Sequence, residues 1–297
     1  MTELRRKYPV LTSVVLVVLF VAASVLGSVP LLLWDGFWRM GEYLPQLLVE
    51  LFIILVMLLA ALLLKMGYLF RPSGKPAAEK IVPTLPIVFL YTFAMLETVI
   101  LYSEETLQPP VRILWFLLCM LAIGVAEELT FRGLITRMIY EKYGYHPLGV
   151  WLSVISSSLL FGTVHIINAV GGLTELTGVL VQMVGASALG MCLAAIYLRT
   201  RSLWTVALLH GYMDVCALLT SGIYTGNTMQ DLVGGYSTAN LVSALMYTAL
   251  AVFLLRPSQM RKITDMDAKP PQNQILGLMA AVFLMAGLFS TVAVITI

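Results

Sequence analysis

Residues 111–135 read VRILWFLLCMLAIGVAEELTFRGLI. A bilayer-spanning helix needs about 20 apolar residues, and this run is long enough. Yet it carries Glu127, Glu128 and Arg132 toward its end. A charge inside a bilayer costs several kcal/mol, so such groups face a bundle interior or a water-filled cavity rather than lipid. The run therefore predicts a membrane helix with one face turned to something polar.

The rest of the chain repeats the pattern. Of 297 residues, 60% are hydrophobic and 11% charged, against about 25% charged in an ordinary soluble domain. Nine apolar runs are candidate spans: Val10–Leu33, Gln46–Leu64, Ile81–Leu101, Val111–Ile135, Leu148–Asn168, Leu176–Leu198, Leu203–Leu219, Ala239–Leu255 and Ile275–Ile297. The fold class is all-α: a polytopic membrane helix bundle of about eight to nine transmembrane helices. The first run follows Arg5, Arg6 and Lys7 but is longer than a signal-peptide core, and reads as an anchor. No hydrophilic stretch could bury a core of its own, so residues 1–297 form a single domain with a motif-bearing core at about 111–220.

With the N-terminus cytoplasmic, all Lys and Arg except Arg39, Arg112 and Arg132 fall in inner segments, as the positive-inside rule requires. Asp35, Glu104 and Glu105 fall in the opposite loops. Trp34, Trp38, Tyr68, Tyr102, Trp151 and Trp204 lie near helix ends, where aromatic belts sit. The net charge of +2 and the absence of a basic patch interleaved with aromatics exclude a nucleic-acid partner. Cys119, Cys192 and Cys216 all lie in apolar runs without a C-x-x-C spacing and read as small buried hydrophobes.

Three motifs carry chemistry. In a helix Glu128 and Arg132 are one turn apart and can pair, whereas Glu127 lies well around the axis from Arg132 and is left free. A carboxylate in a poorly solvated site is a suitable general base near neutral pH. Phe161 and His165 share a face at i, i+4, as do His210 and Asp214, so that the Asp214 carboxylate can orient or ionise His210. No Ser or Cys stands beside a base at a strained turn, which disfavours a covalent route.

The order E-E-x-x-x-R, F-x-x-x-H, H-x-x-x-D on successive membrane helices resembles the CPBP family, the CAAX-processing intramembrane proteases and their bacteriocin-related relatives. The resemblance covers about residues 111–220. It implies an endopeptidase in a bundle of about eight helices, acting on a membrane-associated protein or peptide within the lipid bilayer. By that resemblance Glu127 activates water, His165 helps hold it, and His210 and Asp214 stabilise the oxyanion. Glu128, Arg132 and Phe161 support the site. The family's third motif allows Asn or Asp. An ionised Asp214 cannot donate to an oxyanion, so its expected role is to keep His210 a cationic donor.

No metal or other cofactor is expected. The nearest rival is zinc held by Glu127, His165, His210 and Asp214, since family members have been labelled metalloproteases; no H-E-x-x-H occurs. A non-catalytic adaptor or transporter on the same scaffold is a second rival. Glu97 would suit an ion path, though it reads first as an acid facing the bundle interior, and no motif residue is lost. Prenylated C-terminal peptides, leader peptides and membrane-bound signalling proteins all stay open as substrates. The compact chain points to a prokaryotic cell membrane. One conflict stands: Glu127 and His210 lie about 10 Å from their inner helix ends at 1.5 Å per residue, while His165 lies about 17 residues from its own.

Overall fold

The computed structural model describes residues 2–32, 41–170 and 175–264. The ninth candidate span, with Trp34, Asp35, Trp38, Arg39 and Lys269, lies outside the described residues. The long helices are α1 (Pro9–Leu32), α2 (Tyr43–Leu63), α3 (Leu85–Leu101), α4 (Pro110–Glu128), α5 (Arg137–Tyr143), α6 (Pro147–Val164), α7 (Leu176–Thr200), α8 (Leu203–Ala217) and α9 (Leu241–Leu254). A π-helix, Leu129–Thr136, joins α4 to α5. No strand occurs among the described residues.

Six helical stretches among the described residues are long and apolar enough to cross a membrane. A seventh arises if the bent pair Thr238–Leu254 and Pro257–Ile263 is one span. The protein is thus an integral membrane helix bundle, and eight to nine spans is only approximate. The clearest shortfall is α8. Arg201 takes a left-handed φ of 53° that ends α7, and Ser202 accepts from the Thr205 N–H at 3.2 Å to start α8. The helix stops at Ala217 after fifteen residues, about 22 Å, short of the roughly 30 Å hydrocarbon core.

The two ends of the bundle assemble from the segments that the charge pattern groups together. At one end Arg5 bonds Tyr68 at 3.3 Å and approaches Glu141 at 3.5 Å, Lys75 donates to the Arg199 carbonyl, and Tyr140 donates to the Ile263 carbonyl. At the other end the Gln108 N–H donates to the Ile223 carbonyl, and Glu42 accepts from the Met229 N–H at 2.9 Å. Glu42 is held above the usual carboxylate range, because burial outweighs the help of that N–H.

At the centre, α4 lies against α8 and α2, and α6 lies against α7. Two glycines set the α4–α8 crossing. A Cβ on Gly124 would stand 2.6 Å from both the Ala207 carbonyl and the Gly211 nitrogen; one on Gly211 would stand 3.0 Å from the Met120 carbonyl. Small residues let membrane helices approach this closely. The α6–α7 contact is equally tight at Gly162, where a Cβ would meet the Met183 carbonyl at 2.5 Å. The π-helix is buried throughout. Thr136 ties it to α6 by donating to Ser157 at 2.7 Å. Such π segments are common at functional sites.

Candidate active site

Each motif sits beside one of these close crossings. Gly124 stands one turn before Glu127 and Glu128, Gly211 follows His210, and Gly162 follows Phe161. The crossings draw the three motifs onto one cavity of about 590 Å³, lined by Glu127, Phe161, His165, His210 and Asp214.

The conflict between the depths of Glu127 and His165 disappears because the first motif's helix runs further than its apolar stretch. The helical span is Pro110–Tyr143, continuing past Arg137, Glu141 and Lys142, and α6 returns from a short turn at Pro147. Glu127 is sixteen residues from Tyr143, and His165 is eighteen from Pro147. Residues equally far from a helical hairpin's turn stand at one level. The third histidine, His146, serves that turn: its Nδ1 accepts from the Leu148 N–H at 3.2 Å.

Glu128 is the electrostatic hub. It has no exposed surface. Its Oε1 accepts from Arg132 Nη1 at 2.8 Å, as the i, i+4 spacing predicts, and also from His210 Nδ1 at 2.8 Å. The Glu128 bond is a partner that helical spacing does not predict; the expected Asp214 carboxylate faces the other ring nitrogen. His210 Nε2 stands 3.4 Å from Glu127 Oε2 and 3.8 Å from Asp214 Oδ1. The reason is the crossing: α8 lies close enough on α4 to add an inter-helix contact to the intra-helix one. Since the Arg132-paired Glu128 carboxylate only accepts, Nδ1 carries a hydrogen, and Nε2 faces Glu127 and Asp214.

Phe161 ties the motifs together. It is 2% exposed. Its ring meets those of Phe131, His165 and His210 edge-on at 5.1, 5.2 and 5.9 Å, and the Arg132 guanidinium lies 4.6 Å from its centroid. Edge-to-face contacts and a cation over the ring face are the favourable geometries. His165 Nδ1 lies 3.1 Å from the Phe161 carbonyl. That oxygen only accepts, so in the neutral imidazole Nε2 keeps its lone pair.

Among the described residues no three His, Cys, Asp or Glu side chains are grouped to hold a metal ion. Both His210 nitrogens face carboxylates, and Glu128 is committed to Arg132. Glu97 lies outside the site altogether. It is exposed on α3 rather than facing the bundle interior, where an ion path would need it.

The cavity also holds polar residues that the motifs do not include: Gln46 and Glu50 on α2, Asn168, and Gln182 on α7. Glu50 carried the same signal as the motif acids, an ionisable group in an apolar run. Gln182 and Asn168, joined by a 2.9 Å bond, carry no charge and gave none.

No curated protein and no solved structure matches the chain. Residues 109–216, the stretch that bears Glu127, Phe161, His165, His210 and Asp214, match the family described as type II CAAX prenyl endopeptidase Rce1-like, so this core is similar to that family.

Proposed function

We propose that this protein is an intramembrane endopeptidase that hydrolyses a peptide bond of a membrane-associated protein or peptide, by a glutamate-activated water and without a metal. The observation that carries this reading is the placement of Glu127, His165 and His210, from three helices, on one buried cavity, with His210 held between Glu127 and Glu128.

In this mechanism a water lies between Glu127 and the His165 Nε2 lone pair. Its oxygen attacks the scissile carbonyl carbon while one proton passes to Glu127. The carbonyl π-bond pair moves onto oxygen, and the His210 Nε2–H donates to that oxyanion, an interaction of the kind worth about 3–4 kcal/mol. The oxyanion then collapses, the C–N bond breaks, and Glu127 returns its proton to the leaving nitrogen. The products are a carboxylic acid and an amine. Glu128 fixes the His210 ring, and Arg132 donates to the same Glu128 oxygen. Asp214, 3.8 Å from Nε2, adds negative charge that favours a cationic His210.

The test uses the purified protein in proteoliposomes with an internally quenched peptide ending in a farnesylated CAAX sequence. Wild type should cleave it, and Glu127→Gln should lower kcat by about 10²–10⁴-fold, the usual contribution of a general base, with an unchanged thermal midpoint. Cleavage that survives Glu127→Gln would refute the mechanism. Loss of activity with a chelator and its return with zinc would overturn the metal-free part.

A further inference from the structure

Glu50 belongs to no motif and lies outside the family match, yet it lines the same cavity as Glu127 and Asp214. It sits in α2, deep in an apolar helix, and is 7% exposed. One carboxyl oxygen is fixed: Oε1 accepts from Gln46 Nε2 at 2.7 Å, one helical turn away. The other, Oε2, is buried and has no hydrogen-bond partner. A carboxyl group in a membrane helix is costly, and its rotamer here is held by a dedicated partner.

The cavity poses a matching demand. A peptide entering it for hydrolysis brings backbone N–H groups, and each unsatisfied one in a water-poor site costs several kcal/mol. The lining helices offer few backbone acceptors, since their carbonyls are bonded within the helix. Acceptors must therefore come from side chains with a spare lone pair. Gln182 Oε1 already accepts from Asn168. Two carboxyl oxygens of cavity-lining residues are buried without a hydrogen-bond partner, Glu50 Oε2 and Asp214 Oδ2. Asp214 stands at the reacting centre beside His210. Glu50 makes no ion pair or hydrogen bond with His210, and its Oε2 is an acceptor available to the flanking chain.

We infer that Glu50 is a substrate-positioning residue whose Oε2 accepts a hydrogen bond from one backbone N–H of the peptide beside the scissile bond. The assignment rests on the endopeptidase reading above. It makes the substrate an extended peptide segment recognised through its main chain, with Gln46 holding the acceptor in place. The ionised carboxylate accepts at both oxygens, Oε1 from Gln46 and Oε2 from the peptide; protonation would turn Oε2 into the donating hydroxyl and weaken the bond.

The experiment compares wild type, Glu50→Leu and Glu50→Gln on the same quenched farnesylated peptide and on a series N-methylated at one amide at a time. Glu50→Leu removes the acceptor and should raise KM about tenfold with kcat within threefold, the signature of lost uniform binding. Glu50→Gln keeps a carbonyl acceptor and should recover most of that loss. One N-methyl position should raise the wild-type KM about tenfold but change the Glu50→Leu KM less than twofold. The assignment is overturned if every N-methyl position affects both proteins equally, or if Glu50→Leu lowers kcat at unchanged KM. A thermal midpoint lost in both Glu50 variants would likewise mark Glu50 as structural. Glu127→Gln runs alongside. If it cleaves the peptide, or if wild type neither cleaves nor binds any member of the series, the endopeptidase reading fails and takes this one with it.

Discussion

The spans Ala77–Leu101 and Pro110–Tyr143 have the same mean hydropathy, 1.9 over their most apolar windows, and each carries acid in its apolar part. Only 11% of the first window is buried, against 50% of the second. On the first, Phe89 is 77% exposed and Ile100 73%, and Glu97 shares that exposed surface. On the second, Glu128 is fully enclosed and accepts two hydrogen bonds, from His210 on α8 and from Arg132 on the π-helix. An acid in an apolar run is therefore not itself a site. Enclosure and partners from other helices make one, and a helix of equal hydropathy can lack both.

The sharpest way to break this contrast is at its enclosed end. Glu128→Ala leaves Arg132 and His210 buried without their common acceptor. Removing one partner of a buried ion pair costs about 3–5 kcal/mol, so the thermal midpoint should fall by about 10 °C and cleavage should be lost. An unchanged midpoint would mean that the hub is not an energetic one. Gly124→Val drives a side chain into the Ala207–Gly211 backbone and should cost about 1–3 kcal/mol. Activity should fall further than stability does, because Glu127 and His210 move apart. Equal stability by thermal melting would show that the crossing has room to spare.

Phe161→Leu keeps the apolar volume but loses the ring contacts to both histidines and to Arg132. An aromatic pair is worth about 0.5–1.5 kcal/mol, so the midpoint should drop by a few degrees and kcat by about tenfold in the peptide assay. The smallest effect belongs to the exposed acid: Glu97→Gln should stay within about 0.5 kcal/mol of wild type and leave cleavage within twofold. A large loss there would remove the distinction between the two helices.

Much of the site was legible because its chemistry breaks the rule of its surroundings. Glu127, Glu128, His165, His210 and Asp214 stand out in apolar runs, and helical angles pair Glu128 with Arg132. Glu50 breaks the rule equally but shares no motif, and its place became visible only when α2 was seen to line the cavity. The second partner of His210 was hidden for a different reason. Within one helix Asp214 is its neighbour, and nothing local announces that α8 lies on α4 closely enough to offer Glu128 as well. Helix ends were obscured where polar residues extend a helix past its apolar stretch, as at Arg137–Tyr143, and where caps shorten one, as at Ser202.

The sequence by itself determined the solvent, the helical class, the grouping of loops at two ends and the ionisable residues of the three motifs. Those follow from transfer energies and residue chemistry, which act locally. Tertiary structure decided which acid holds His210, the common level of Glu127 and His165, the exposure of Glu97 and the place of Glu50. These depend on how closely helices cross, and that distance is set by glycines on different helices meeting, a property no single segment contains.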